Sequence, residues 1–232
     1  MEAIAPSRRE VGKAERRARI VEAAAALVRE SGFDAASMVQ IAERAQVSPA
    51  TLYNLFHTKN AIFRQVFDLD LEAYQRRLSA TPAADGLERI FVAIELASSL
   101  YRADPDFYRA MARSSRGAGA LRSAITEPRI AFWQDQVAAA VAEGRLSADA
   151  DPRLLGVTLT QLFAGALQEW AAGVISPERL AQEVAYGFAL ALLAFAPEAS
   201  ARRLRRRLQA LRRTLTKAVR SPGQSNSKKE NA

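Results

Sequence analysis

The sequence has no cysteine and a single histidine among its 232 residues. Without cysteine the chain forms no disulfide and has no thiol chemistry, and one histidine rules out a histidine-rich metal site. No uninterrupted apolar run approaches the ~20 residues that span a bilayer, and no signal-peptide pattern opens the chain. We therefore expect a soluble, cytoplasmic protein with no membrane span, no metal and no cofactor.

The charge of the chain is concentrated at one end. The formal net charge is +8, yet eleven of the 33 Lys and Arg residues and only two of the 25 acidic residues lie from residue 197 onward. That segment carries +9, and the 196 residues before it carry −1. The basic character therefore describes a C-terminal extension rather than the body of the protein. With 49% apolar residues, the chain can form one or two compact domains.

Residues 37–59, SMVQIAERAQVSPATLYNLFHTK, have the pattern of two short helices joined by a tight turn. Ser37 and Gln40 have the spacing of a capping box, in which each side chain accepts a backbone hydrogen bond at the start of the first helix. Ser48 followed by Pro49 gives a second helix start, because proline at the first helical position loses no hydrogen bond. Only three residues remain for the turn, which predicts helices that cross steeply.

The second of these helices separates its side chains into two faces. At about 3.6 residues per turn, Leu52, Leu55 and Phe56 fall on one side and predict a core-facing surface. Asparagine can read adenine, alanine or threonine methyls can contact thymine, and tyrosine, histidine or lysine can reach phosphates. The pattern predicts a helix that enters the major groove of DNA; the alternative is a capped helix pair whose polar face is only solvated. The residues opposite the apolar side are Ala50, Asn54 and His57, flanked by Thr51 and Tyr53.

The run from about Lys13 to Tyr74 resembles the N-terminal DNA-binding domain of TetR-type transcriptional regulators, and VSPATLYNLFHTK is close to that family's recognition helix. The resemblance implies a homodimer that binds an inverted-repeat operator in double-stranded DNA and represses until a small-molecule effector binds. It also implies phosphate contacts from Ser37 and Lys59. The full set of expected DNA-binding residues is Ser37, Gln40, Ser48, Pro49, Ala50, Thr51, Tyr53, Asn54, His57 and Lys59.

One position departs from the family pattern. The family usually has glycine in the turn where this chain has Gln46. Either Gln46 adopts a left-handed backbone conformation at an energetic cost, or the turn differs.

The expected fold is all-α: an N-terminal three-helix helix-turn-helix domain followed by a C-terminal helical domain for ligand binding and dimerisation. The predicted domains are a flexible basic arm (1–12), the DNA-binding domain (13–74, with the motif at about 37–56), the effector-binding and dimerisation domain (75–196), a basic amphipathic helix (197–220) and a disordered tail (221–232). Outside the motif, helices are predicted at 13–31, 59–79, 87–102, 105–114, 127–143, 152–172, 177–196 and 201–218, with a loop at 115–123. Basic residues crowd the start of the first helix, where cations oppose the helix dipole, so a nearby phosphate is their expected partner. These are Lys13, Arg16, Arg17 and Arg19.

Two sets of residues in the C-terminal half are assigned to ligand and dimer contacts. Aromatic residues at helical spacing are typical of a core, but in the family the middle helices surround an effector cavity. The helices at 152–172 and 177–196 have more apolar surface than one chain readily buries, which predicts a four-helix seam with a second subunit. The expected ligand-lining residues are Phe91, Phe107, Tyr108, Met111, Phe132, Trp133 and Phe163. The expected interface residues are Gly156, Thr160, Phe163, Leu167, Leu180, Val184, Phe188, Ala191 and Leu192.

Two other patterns are open to more than one interpretation. The leucines of residues 201–218 recur every three or four positions among seven arginines, which predicts a basic amphipathic helix. It packs on the body of the protein, or binds DNA, an acidic patch of the partner subunit or anionic lipid. Asp-x-Asp pairs at 68/70, 104/106 and 149/151 invite a metal interpretation, but Asp-Pro-Asp at 104–106 fits a helix cap better.

Two classes of function remain. The first is a ligand-responsive DNA-binding repressor, with a largely apolar or aromatic effector. The second is an all-helical small-molecule-binding module or enzyme that has borrowed the helix pair and has no operator. The sequence offers no nucleophile with a base, no metal-ligand spacing and no phosphate-binding loop, so the first class is favoured and no enzymatic activity is expected.

Overall fold

A computed structural model describes residues 7–114 and 120–219 of the chain. Within these ranges the protein has ten helices and no strand, which confirms the predicted all-α fold. The predicted tail at 221–232 lies outside the described residues. The helices are α1 Arg8–Ala35, α2 Met38–Arg44, α3 Pro49–Phe56, α4 Lys59–Ala80, α5 Gly86–Ala103, α6 Pro105–Ser114, α7 Ala120–Ala142, α8 Pro152–Ala171, α9 Pro177–Leu193 and α10 Glu198–Val219.

Internal contacts divide the described residues into two compact units. Unit 1 contains the chain up to Ala80 together with Ala103–Pro128, and so holds α1 to α4 and α6. Unit 2 contains Thr81–Arg102 and the chain from Arg129 onward, and so holds α8, α9 and α10 with nearly all of α5. Helix α7 is shared, because the division falls directly after Pro128.

Two helix starts differ from the sequence predictions. Helix α1 begins at Arg8 rather than at Lys13, because Ser7 and Glu10 form a capping box: the Glu10 N–H donates to Ser7 Oγ at 3.3 Å and the Ser7 N–H donates to Glu10 Oε2 at 2.8 Å. Helix α7 begins at Ala120 rather than at Glu127, and its first turns occupy part of the predicted loop. Proline favours the first turn of a helix, but here Pro128 lies inside one.

The core of unit 1 is formed by α1 to α4 and α6. Helix α1 packs against α2, α4 and α6, and Phe33 meets the ring of Phe63 edge to face at 4.5 Å. At Gly32, with φ +81°, the helical geometry of α1 is interrupted where the sequence predicted a stop, but the chain resumes helical hydrogen bonding up to Ala35. Large side chains of this core include Ile20, Ile41, Leu52, Phe56, Ile62, Phe63, Phe67 and Phe107.

Unit 2 is built around aromatic side chains. Trp133 lies 4.9 Å from Phe188 and 4.8 Å from Phe132, and Trp170 stacks on Tyr101 at 5.0 Å. Helix α8 crosses α7 at close range at Gly156. A Cβ atom there would lie 3.0 Å from the backbone of α7. Gly156 is therefore needed for packing within one chain.

Most of the predicted interface residues are part of this core, and their contact with a second subunit stays a prediction. Leu180, Phe188 and Leu192 are 0% exposed, and Val184 is 1% exposed. Leu167, Thr160 and Phe163 are also buried, and Gly156 meets α7. The apolar stripe of α9 is covered within its own chain because α8 and α10 pack against that helix. These side chains therefore offer little surface to a second subunit in the conformation of the single chain.

A different apolar face of α8 and α9 remains exposed. Leu154, Leu162 and Leu190 are 66%, 39% and 50% exposed. Gly187 of α9 lies directly beside Leu162 of α8, so the two helices meet at that leucine.

The basic helix α10 packs against α9, with Ala201 and Leu204 buried. The interpretation that its leucine stripe packs on the body is confirmed at these positions. None of the described helices is both long and apolar enough to cross a membrane.

Two of the three acidic pairs include a residue that caps a helix. Asp104 accepts the Phe107 N–H at 3.3 Å, and Asp151 accepts the N–H groups of Arg153 and Leu154 at 2.8 and 3.1 Å. Across residues 7–114 and 120–219, no group of three or more histidine or acidic side chains is placed to hold a metal ion.

Candidate nucleic-acid interface

Helix α2 begins with the capping box that its sequence predicts. The Gln40 N–H donates to Ser37 Oγ at 3.2 Å, and the Ser37 N–H donates to Gln40 Oε1 at 2.9 Å. Ser37 and Gln40 are exposed, whereas Ile41 and Ala42 are buried against unit 1. The start of α2 is therefore fixed locally and open to solvent.

The turn after α2 contains Gln46 in the left-handed conformation, with φ +53°. The Val47 N–H donates to the Ala42 carbonyl at 3.0 Å, and the Gln46 N–H donates to the Glu43 carbonyl at 3.1 Å. This pair of bonds is a Schellman motif, whose left-handed position usually holds glycine. Of the two alternatives for Gln46, the chain takes the strained conformation and keeps the turn.

Helix α3 begins at Ser48 and Pro49 as predicted. The Thr51 N–H donates to Ser48 Oγ at 3.1 Å, and the two hydroxyl oxygens lie 2.9 Å apart. Leu52 and Phe56 are buried at 0% and 3% exposure. One face of α3 thus anchors the helix in unit 1.

The opposite face of α3 is open to solvent. Ala50, Asn54 and His57 are exposed there, with the Tyr53 side chain 50% exposed beside them. Thr51 is half-buried through its contact with Ser48. The helix ends at His57, whose left-handed φ of +59° stops it. The structure therefore brings the expected base-reading side chains onto one accessible surface.

Lys59 has a structural contact that the sequence did not predict. Its ammonium donates to the carbonyl oxygens of Phe33 at 2.9 Å and Asp34 at 3.3 Å, and it lies 4.5 Å from the centre of the Phe33 ring. These carbonyls follow the interruption of α1 at Gly32 and lack regular helical partners. Lys59 thus joins the start of α4 to the end of α1, and a phosphate contact would use its remaining donor.

Arg17 contacts the buried side of α3. Its Nη1 donates to the Leu55 carbonyl at 2.7 Å, its Nη2 donates to Gln65 Oε1 at 3.4 Å, and its guanidinium lies 4.2 Å from the centre of the Phe56 ring. Leu55 lies in the last turn of α3, where carbonyls lack intrahelical partners. The sequence grouped Arg17 with the cations that meet phosphate, but in the structure it links α1, α3 and α4.

The comparison with known families agrees with this geometry. Residues 20–66 match the family described as "Bacterial regulatory proteins, tetR family". This segment of the chain is similar to the TetR family. The matched region contains the capping box, the turn and all of α3, and the family consists of DNA-binding regulators rather than enzymes.

Known TetR-family proteins resemble the chain in sequence and in fold. The HTH-type transcriptional repressor KstR of Rhodococcus jostii is 32% identical over 100 residues, covering 43% of this chain and 47% of the relative. The match thus spans about half the length of that curated relative. FadR of Thermus thermophilus, solved with lauroyl-CoA, is 24% identical with a TM-score of 0.63, covering 78% of this chain and 96% of FadR. Full-length TylP of Streptomyces fradiae is 24% identical with a TM-score of 0.62, covering 93% and 95%.

The residues expected to line a ligand cavity are divided between the two units. Phe107 and Met111 are buried in the core of unit 1, with Tyr108 half-buried beside them. Phe132, Trp133 and Phe163 are buried in unit 2, where Trp133 also lies 6.1 Å from Phe163. Their role as ligand contacts remains a prediction.

Phe91 has a different environment within unit 2. It lines an open groove of about 370 Å³ between α5 and α10, and the guanidinium of Arg207 lies 3.8 Å from the centre of its ring. Glu88 and Arg203 also line this groove, which is therefore more polar than the aromatic cluster around Trp133.

Proposed function

We propose that the chain is a homodimeric transcriptional repressor that binds an inverted-repeat operator through α3 and leaves it when a largely apolar effector binds. The proposal rests on the contrast between the buried and the exposed face of α3. Leu52 and Phe56 anchor one face, and Ala50, Tyr53 and Asn54 are exposed on the other. A helix held in this way presents side chains of the kinds that read base edges in the major groove.

The caps and Arg17 support this function by fixing the helix. Ser48 binds the first turn of α3, and Arg17 binds its last turn through the Leu55 carbonyl. Sequence-specific reading requires side chains held in a defined geometry, because bidentate base contacts tolerate little displacement. Helix α3 is secured at both ends within unit 1.

The dimer is proposed to form through the exposed apolar face of α8 and α9 rather than through the residues first assigned. Leu154, Leu162 and Leu190 lie on this face, and Gly187 lets another helix approach closely. A two-fold axis through such a face makes the same patch meet itself. Two copies would then bind half-sites of opposite orientation whose centres lie about 34 Å, or a multiple of it, apart.

The effector is proposed to carry a long apolar part. The buried aromatic cluster around Trp133 would give such a ligand apolar surroundings in unit 2. Two structures of similar fold were solved with acyl-CoA compounds, lauroyl-CoA in the Thermus thermophilus protein and stearoyl-CoA in the Bacillus subtilis FadR. Long-chain acyl-CoA compounds are therefore the first effectors to test.

The effector acts only if it binds one conformation of the protein better than another. The conformation that matters is the one that positions α3, and two elements of unit 1 hold that helix in place. Helix α4 reaches Arg17 through Gln65, and α6 reaches α4 through a hydrogen bond of 2.9 Å from the Tyr108 hydroxyl to Asp70 Oδ1. A shift of α4 or α6 would change the support of α3, so we propose these helices as the transmitters.

The proposal is tested by selecting bound duplexes from random-sequence DNA with the purified protein. We expect an inverted repeat to be enriched, and we expect an acyl-CoA to release the protein from it. An all-helical binding module with no operator would enrich no sequence. Effector affinity should fall on operator binding by the same factor by which the effector weakens DNA binding.

A further inference from the structure

Helix α10 carries two kinds of arginine. Arg203 and Arg207 point toward α5, where they pair with acidic side chains. The others form a continuous exposed surface along the helix, which we call the arginine ridge. It consists of Arg202, Arg205, Arg206, Arg212 and Arg213.

Few negative charges neutralise this ridge. Arg202 and Arg205 each reach Glu198 at 3.7 Å, and Glu198 is the only acidic residue in the sequence of α10. For Arg206, Arg212 and Arg213, the described part of the chain supplies no salt bridge. Arg206 and Arg213 lie seven residues apart, so they share one face at a separation of ~10 Å along the axis.

The inward side of α10 holds the ridge in place. Arg203 binds Asp85 at 2.5 Å and Glu88 at 3.3 Å, and Arg207 binds Glu88 at 2.7 Å. At the other end, Arg179 Nη1 donates to the Leu215 carbonyl at 3.1 Å. The ridge is therefore presented by an anchored helix.

The burial of the apolar face of α10 also favours nucleic acid over anionic lipid as the partner of the ridge. A basic amphipathic helix binds lipid by inserting its apolar face into the interface, but in α10 Ala201 and Leu204 are buried in unit 2. Arginine binds phosphate in a bidentate way that suits a nucleic-acid backbone. The ridge extends ~17 Å, at 1.5 Å per residue, and duplex DNA carries a charge about every 1.7 Å along its axis.

We propose that the arginine ridge is a second, sequence-independent DNA-binding surface that contacts the phosphate backbone of duplex DNA. The inference rests on the proposed function for the identity of its polyanion. The ridge would add affinity for duplex DNA without altering the choice of operator, because phosphate contacts carry no sequence information.

The test compares full-length variants that lose the same charge at different places. The ridge variant is Arg206→Gln with Arg213→Gln, and the control is Arg102→Gln with Arg153→Gln, two exposed arginines of unit 2 outside α10. A third variant, Arg206→Lys with Arg213→Lys, keeps the charge. Binding to a random-sequence duplex is measured by fluorescence anisotropy over a range of salt concentrations, with thermal unfolding as a check on folding.

We expect the ridge variant to reduce the slope of log affinity against log salt by about 1.8, or about 0.9 for each lost phosphate contact. Its affinity for random duplex at low salt should fall by about tenfold or more. The lysine variant should keep most of the slope, and the control should keep nearly all of it. Equal losses in the ridge variant and the control would overturn the inference, because only net charge would then matter.

Two further outcomes separate this inference from its alternatives. If the ridge variant loses binding to vesicles containing phosphatidylserine while its binding to duplex is unchanged, the ridge serves lipid and the inference is wrong. If the protein selects no operator and Asn54→Ala has no effect, the proposed function fails. The ridge inference is judged separately by the slope on random duplex.

Discussion

The Arg17 guanidinium donates a hydrogen bond to the Leu55 carbonyl at 2.7 Å, which joins the first helix to the last turn of the recognition helix. The same side chain covers the ring of Phe56 and reaches Gln65 of α4. Arg17, whose expected partner from the sequence was a DNA phosphate, therefore makes its contacts inside unit 1. It couples the position of α3 to the helices that support it.

We expect Arg17→Gln to weaken operator binding more than random-DNA binding. The variant loses a charge-assisted hydrogen bond to a carbonyl without another helical partner, at a cost of about 1.5–3 kcal/mol in unfolding free energy. Chemical denaturation and duplex titration measure the two effects. Arg19→Gln is the matched control, since Arg19 is exposed on the same helix. Equal operator losses in both variants would show that Arg17 contributes only its charge.

The left-handed turn provides a test on stability alone. We expect Gln46→Gly to stabilise unit 1 or leave it unchanged, because relief of about 1–2 kcal/mol of backbone strain offsets the greater freedom of glycine in the unfolded chain. Gln46→Val should destabilise by about 1–2 kcal/mol, since a β-branched residue is still less suited to positive φ. Denaturant midpoints decide between these outcomes. A destabilising glycine would mean that the Gln46 side chain makes a contribution larger than its strain.

The carboxylate of Asp85 predicts a pH dependence of unit 2. The hydrogen bond from Arg203 lowers the pKa of Asp85, aided by the Glu88 N–H at 2.9 Å and by Arg145 at 3.2 Å. A lowered pKa gives stability that is present above the unfolded value of about 3.9 and is lost as pH falls through the folded value.

We therefore expect Asp85→Asn to cost about 1–3 kcal/mol of unfolding free energy at neutral pH. The difference from the wild-type chain should shrink below about pH 4, as the native carboxyl becomes protonated. Urea unfolding between neutral pH and pH values below about 4 measures this difference in unfolding free energy. Asp135→Asn, at an exposed position of α7, is the control. A difference that stays constant down to acid pH would contradict the assigned ion pair.

The exposed apolar face of α8 and α9 predicts how the oligomer is disrupted. We expect Leu190→Glu to weaken dimerisation by about a hundredfold or more while the chain stays folded, because it places an unpaired charge in an apolar seam. Phe188→Arg should instead unfold unit 2, since Phe188 is fully buried against Trp133. Sedimentation separates the two results. Leu69→Glu, at an exposed leucine of unit 1, is the control. A Leu190→Glu variant that remains a dimer would place the seam elsewhere.

The elements that the sequence predicts well are those with local causes. Ser37 with Gln40, and Ser48 with Pro49, fix helix starts through groups three residues apart, and both appear where the pattern places them. The turn at Gln46 follows for the same reason, because its hydrogen bonds lie within six residues.

The errors concern partners that are distant in the sequence. The apolar stripe of α9 correctly indicates a buried face, but periodicity does not say what covers it. In the structure α8 and α10 of the same chain pack against α9, and Trp133 of α7 contacts Phe188. Arg17 and Leu55 lie 38 positions apart, so no local pattern links them. The sequence predicts the start of α7 at Glu127, next to Pro128, but the helix begins at Ala120 and continues through that proline.

The central claim is that the exposed face of α3 reads bases, and Asn54→Ala tests it most directly. Equilibrium binding should be measured on the selected operator, on a set of operators each changed at one base pair, and on random duplex. The account predicts a loss of about 1–3 kcal/mol on the operator, relaxed preference at one base pair in each half-site, and little change on random DNA. An equal loss on operator and random DNA, with base preferences unchanged, would contradict it.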